Sequence, residues 1–272
     1  MWTLNLIIRY LRFVFNTVLF LFFAIPCYFI AWNDTIRIRF CHILNYFWNS
    51  NTELLYFYKV IVINNELLNT EKINFINANH TYNCDYLLLT YLFYRNTINY
   101  YKYSSVSINT IIGFIDKVVL TIINACFINN GSYITPVRNS IKKWYNSNYN
   151  RYIIIHFEGV AKTDFKGPNN YKYVIHPKYQ AFRTILKFLP KDIHFINDIN
   201  IIYTQNNTLL KCSNKELILK LINNEDVKIY LEINKYPIPT FDITEEWLDD
   251  LYQKKEIQIQ KLMEKYNIMD NL

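Results

Sequence analysis

Glycine is almost missing from this chain: 272 residues hold only four, with seven prolines. So small a supply excludes collagen-like repeats, Gly/Pro-rich linkers and glycine-loop dinucleotide sites, which need several glycines in one turn. The five cysteines, Cys27, Cys41, Cys84, Cys126 and Cys212, are scattered and form no Cys-x-x-Cys pair. Neither a disulfide framework nor a zinc ribbon is expected, and the thiols read as reduced. Charge is also thin, at 19% of residues. What the chain has instead is apolar and aromatic surface, 51% and 18%, with a net charge of +7. That balance excludes a disordered tail, and the length suffices for one large core or two small ones. The basic residues are dispersed and no nucleic-acid motif occurs, so nucleic acid is not an expected partner. An anionic membrane leaflet suits the surplus of positive charge better.

From Phe13 to Trp32 no residue is charged. About 20 helical residues span the roughly 30 Å of a bilayer core. Trp2, Tyr10, Tyr28 and Trp32 flank the run as an interfacial aromatic belt would. A cleaved signal peptide would have a shorter apolar region and a small-residue cleavage site. Residues 1–50 are therefore expected to anchor the chain to a membrane. The anchor is single-pass or, with a kink at Pro26 and a return through His42–Trp48, a monotopic hairpin. A second apolar stretch, Val106–Ile128, carries Asp116 and Lys117 at its middle. Charges there make a spanning helix costly, so it reads as buried helix and strand.

Residues 51–240 read as an α/β domain. Strands are expected at Tyr56–Ile63, Ile73–Asn77, Tyr152–Phe157, Ile199–Tyr203 and Val227–Ile233, and a helix at Asp85–Arg95. The continuous apolar run Tyr152–Phe157 marks a strand buried on both faces. Val227–Ile233 alternates, as a half-buried strand near a sheet edge does. Asp242 with Glu245 starts a charged C-terminal helix, Glu245–Tyr266, within a segment 241–272. Strands alternating with helices predict a layered α/β sheet.

Three constellations could carry chemistry. Of the five histidines only His80 has an Asp five positions later, Asp85, across an expected loop-to-helix junction. An Asp accepting from one imidazole nitrogen leaves the other as a base; the plainer alternative is a polar loop with an N-cap Asp. Glu158-Gly159 follows the buried strand directly, and Glu158 is either a site carboxylate or a solvated loop residue. His176-Pro177-Lys178 presents a cation in a turn, as a phosphate site or as ordinary surface. His80, Cys84 and Asp85 could start a metal site, but no other cluster supplies the remaining ligands, so no metal is expected.

In this order and behind a membrane segment, these residues resemble the 1-acylglycerol-3-phosphate acyltransferase superfamily of glycerolipid acyltransferases. Asn79, His80 and Asp85 match its first motif, Asn-His-x-x-x-x-Asp. Phe157-Glu158-Gly159-Val160 keeps the core of its third, Phe-Pro-Glu-Gly-Thr. His176-Pro177-Lys178 followed by Ala181-Phe182 is similar to its fourth. Tyr173–Lys178 and Ile229–Ile238 are most similar to the lysocardiolipin/lysophosphatidylinositol acyltransferase branch. The resemblance covers roughly residues 55–265. It implies a glycerol-3-phosphate acyltransferase-like mixed sheet flanked by helices, with an N-terminal membrane helix or helical hairpin.

It also implies direct acyl transfer, without a covalent intermediate, from acyl-CoA to a free hydroxyl of a lysophospholipid. His80 would be the base and Asp85 its orienter. Asn79, Glu158 and Gly159 would hold the acceptor, with Lys178 or Arg138 near its phosphate. Acyl-CoA would be a substrate, no cofactor would be needed, and the site would face an internal, endoplasmic-reticulum-like membrane. Two departures stand out. His156-Phe157 and Val160 replace the usual Phe-Pro and Thr. The second motif, an apolar run ending in Arg, falls at Cys126–Asn130, where no Arg occurs. These motivate an alternative: a catalytically impaired, membrane-anchored interaction protein on the same scaffold.

Overall fold

The computed structural model describes residues 4–30, 50–56, 59–65, 74–93, 97–103, 126–128, 134–146, 150–159, 161–239 and 244–270. Helix α1, Leu4–Ile30, opens the chain. Strands β1 (Val60–Ile63) and β2 (Asn74–Ala78) precede helix α2 (Asp85–Leu92). Strands β3 (Thr97–Tyr103) and β4 (Cys126–Ile128) are followed by helix α3 (Ile134–Asn146) and strand β5 (Asn150–Ile155). Next come helix α4 (Tyr179–Phe188), strands β6 (Phe195–Gln205) and β7 (Thr208–Leu209), and helix α5 (Asn214–Ile222). Strand β8 (Val227–Pro237) and helix α6 (Glu245–Lys265) close it.

The strands form one mixed sheet in the order β1-β8-β6-β2-β5-β3-β4, with β7 paired to β6. β2 runs parallel to both β5 and β6, while β8 is antiparallel to β6 over its whole length. Period-2 alternation divides the core between two faces. Ile76, Ile154, Ile201 and Leu231 pack under α2 and α5 on one face. Phe75, Ile153, Ile155 and Ile202 pack under α3, α4 and α6 on the other. The fold is therefore the mixed sheet flanked by helices that the sequence led us to expect.

Several boundaries differ from expectation. Residues 50–56 are helical, so Tyr56 belongs to a helix and not to the first strand. Its aromatic ring is fully buried in the face under α2, and that packing overrides strand propensity. β8 lies next to the sheet edge, as expected, and β1 forms the edge itself. Thr244, whose hydroxyl accepts from Trp247 N at 3.3 Å, caps α6. Asp242, Val160, His42–Trp48 and most of Val106–Ile128 lie outside the described residues. α6 carries most of its charge on its outer side, while Leu248, Leu251, Tyr252, Ile259, Leu262, Met263 and one charged residue, Lys255, are buried.

Within α1, Leu6–Pro26 is long and apolar enough to cross a membrane, with a mean hydropathy of 1.8. Its faces are sorted in an unusual way. The inward face carries the polar groups: Arg9 Nη2 donates to Leu54 O at 2.8 Å, and Asn16 Nδ2 to Ser50 Oγ at 3.1 Å. Asn51 Nδ2 donates back to Thr17 Oγ1 at 2.9 Å. The outward face is apolar and bare: Leu4, Ile8, Leu11, Phe15, Val18 and Phe22 are exposed. A stripe of that length on a soluble surface is unfavourable and marks an interaction face. Since Arg9 meets Leu54 and Thr17 meets Asn51, the chain runs back along α1.

Candidate active site

Parallel strands β2 and β5 end together, and the loops that leave them meet above the sheet. Asn79 and His80 follow β2; His156 to Gly159 follow β5. Asn79 is committed to the neighbouring strand. Its Nδ2 donates to Ile201 O at 3.0 Å and its Oδ1 accepts from Ile201 N at 2.6 Å. That two-point clamp fixes where the next residue, His80, stands.

His80 Nδ1 lies 3.2 Å from Asp85 Oδ2, and Asp85 is fully buried at the first position of α2. The Asp85 carboxylate is saturated with donors. Oδ2 also accepts from Thr81 N at 2.7 Å and Tyr82 N at 3.0 Å, and Oδ1 accepts from Tyr203 OH at 2.7 Å. Burial, then the Asp85 charge, pushes the Tyr203 phenol well up, so it stays a donor. A carboxylate beside Nδ1 places the imidazole proton there and leaves Nε2 as the basic nitrogen. The junction thus folds the histidine back onto the aspartate, and both belong to one site.

Glu158 belongs to the same site. Its Oε2 accepts the His80 backbone N–H at 3.0 Å, while Oε1 has no hydrogen-bond partner although the side chain is buried. Burial is the main cause that pushes its carboxyl up to about 8; the His80 N–H and Lys255 pull the other way. The unfolded chain ionises Glu158 in the ordinary carboxylate range, whereas the folded chain keeps the proton to about pH 8. Folding stability from this group is therefore lost as pH rises across that window. We expect Glu158→Gln to flatten the fall in melting temperature between pH 5 and pH 8, by on the order of a few kcal/mol in stability. Parallel wild-type and variant melts across that range check it; identical slopes refute it.

Gly159 turns the chain with φ +72°, in the left-handed region that favours glycine, and its N–H closes a turn on His156 O at 3.0 Å. The Lys178 side chain lies across it. A Cβ on Gly159 would stand 3.0 Å from Lys178 Cδ. Lys178 N donates to Phe157 O at 2.8 Å, which ties the start of α4 to the Glu158 loop. A cation thereby comes over the same turn. Arg138, by contrast, stands exposed on α3, a helix that packs beside α4. The structure gives no contact between Arg138 and the His80–Glu158 cluster. The segment expected to hold the second motif enters the sheet as β4, at the far end from β6.

Three site features were not foreseen. His156, noted only as a departure from the motif, stacks its ring on His80 with centroids 4.3 Å apart and planes 14° apart. Its Nδ1 sits 2.7 Å from Ala78 O, and burial, with the His80 ring next, holds its pKa well down. It is a neutral shelf against the His80 ring. Tyr203 reaches Asp85 across 118 positions of sequence, which no local pattern signals. Lys162 N donates to His80 O at 2.6 Å and braces the loop from outside. Cys84 beside the site is no nucleophile, because burial pushes its thiol well up. Among the described residues no group of three His, Cys, Asp or Glu is placed to hold a metal ion.

A mixed sheet with a His–Asp pair at the end of one parallel strand and a buried Glu at the end of the next defines the architecture. The overall fold is similar to that of a solved structure, the 1-acyl-sn-glycerophosphate (LPA) acyltransferase PlsC from Thermotoga maritima. The TM-score is 0.55 at 14% identity, over 95% of this chain and 97% of that one. No protein-family model matches the sequence. No curated protein matches it by sequence either.

Proposed function

We propose that the protein is a membrane-bound acyltransferase that moves a fatty acyl group from acyl-CoA to a free hydroxyl of a lysophospholipid. The observation that carries the proposal is the His80–Asp85 pair, with Nδ1 held by a buried, donor-saturated carboxylate and Nε2 left to act. The likeness of fold to an LPA acyltransferase supports it.

In this proposal His80 Nε2 takes the acceptor's hydroxyl proton as that oxygen attacks the thioester carbonyl. The C–O bond forms, the C–S bond breaks, and His80 returns the proton to the departing thiolate. A positioned base is worth about 10²–10⁴-fold in rate. Glu158, whose Oε1 is unpartnered, and the Gly159 turn hold the acceptor's glycerol end, and Lys178 faces its phosphate. Asn79 acts by fixing the His80 loop on β6. Arg138 is assigned a long-range attraction for anionic substrate. α1 and the chain returning beside it sit in the bilayer as a monotopic hairpin, bare face outward. Each fully buried large apolar side chain there contributes about 1.5–3 kcal/mol. The acceptor belongs to the class of lysophosphatidic acid or a related lysoglycerophospholipid, with lysocardiolipin or lysophosphatidylinositol as the finer assignment.

The test is incorporation of labelled acyl chain from acyl-CoA into a panel of lysophospholipids in vesicles. Label in one diacyl product supports the proposal and identifies the head group. No label in any product, from protein with a cooperative melt, favours the impaired scaffold.

A further inference from the structure

Lys255 is the one lysine side chain among the described residues that is wholly buried, and the mechanism above does not use it. It projects from α6 under the sheet. Its Nζ lies 2.8 Å from Asp198 Oδ1 and 2.9 Å from Ile199 O, both on β6. From there two chains of hydrogen bonds diverge. Ile199 O also accepts Asn79 N at 3.3 Å, which is the residue before His80. Asp198 Oδ1 also accepts Asn77 Nδ2 at 2.6 Å, and Asn77 Oδ1 in turn accepts Phe157 N at 3.4 Å, the residue before Glu158. Tyr252, one turn earlier on α6, adds a second strut from its hydroxyl to Asn77 Oδ1 at 3.4 Å.

A buried ammonium is expensive unless something uses it. Apolar packing would hold α6 to the sheet at lower cost, and six other buried side chains of α6 are already there. We propose that Lys255 is a positioning residue, which sets the His80 loop and the Glu158 loop relative to one another through Ile199 and through Asp198–Asn77. Its ammonium also favours the charged form of Glu158, a longer-range effect in the same direction. The C-terminal helix thus becomes part of the site's machinery. The activity part of this inference rests on the acyl-transfer proposal; the loop-positioning part does not.

The experiment compares full-length wild type, Lys255→Met, Asp198→Asn and the double variant. Each single change strands one buried polar partner and is expected to lower the melting temperature. The double variant removes both charges and is expected to recover most of it. If Lys255 positions the loops, amide exchange at 79–81 and 157–159 in the double variant rises about tenfold or more, while β8 stays protected. kcat falls about tenfold or more, because small misplacements of a base are costly, and KM rises for the acceptor held by the Glu158 loop while KM for acyl-CoA stays nearly unchanged. A double variant with wild-type exchange in both loops overturns the inference. If the double variant fails to fold, Lys255→Arg decides, since a larger guanidinium cannot occupy a fully buried ammonium site unchanged. Raised loop exchange and lowered kcat support the inference, and wild-type values of both overturn it. If wild type transfers no acyl group to any acceptor, the exchange arm still decides the positioning, and the functional proposal fails by itself.

Discussion

His80→Ala is expected to lower kcat for acyl transfer by about 10²–10⁴-fold, the share a positioned base contributes. The fold should survive. Asp85 loses one donor of four and keeps the Thr81 and Tyr82 amides and the Tyr203 hydroxyl. The ring itself packs mainly on His156. KM for either substrate should move little, because in the proposed mechanism His80 touches the reacting hydroxyl and not the head group. Steady-state kinetics beside a thermal melt checks it. A variant with a native melt and wild-type kcat contradicts the role of base.

Asp85→Asn is expected to do more harm than its small change in shape suggests. Both Asp85 oxygens accept hydrogen bonds, from four donors in all. An asparagine keeps the His80, Thr81 and Tyr82 bonds on its Oδ1 only by turning its NH₂ on the Tyr203 hydroxyl, which must then accept instead of donate; the other orientation sets NH₂ against two backbone N–H groups. The site is fully buried, and lost or opposed bonds there cost about 1–3 kcal/mol each. Without the carboxylate, the Nδ1–H tautomer also loses its anchor, and an imidazole protonated at Nε2 cannot accept the hydroxyl proton. In the serine protease triad the equivalent change costs about 10⁴-fold. We expect a loss of about 10³-fold or more in kcat, with a clearly lower melting temperature. A variant that keeps both is incompatible with the geometry described.

The legible and illegible parts of this protein divide by distance along the chain. His80 and Asp85 were readable because five positions and a strand-to-helix junction hold them together. The alternation of Val227, Ile229, Leu231 and Ile233 was readable because each is buried. β6 was read as Ile199–Tyr203 but runs Phe195–Gln205. Asn197, Asp198 and Asn200 hid its first half, since polar residues look like a strand's end. In the structure Lys255, Asn74 and Glu232 each pair one polar atom of these side chains from other elements, and the remaining oxygen of each stays buried without a partner. Glu158 was ambiguous from its own neighbourhood, and its bond to His80 N spans 78 positions. Tyr203 and Lys255 carried no signal at all, because their partners are assembled only by the sheet and by α6.

The central claim is transfer to a hydroxyl acceptor by His80. The most direct test is to follow thiol release from acyl-CoA by purified, folded protein in vesicles, with and without the lysophospholipid that the panel identifies. The account predicts release that requires the acceptor, one thiol for each acyl group transferred, and that disappears in His80→Ala. Release at the same rate without acceptor, or release and transfer that persist in His80→Ala, would contradict it.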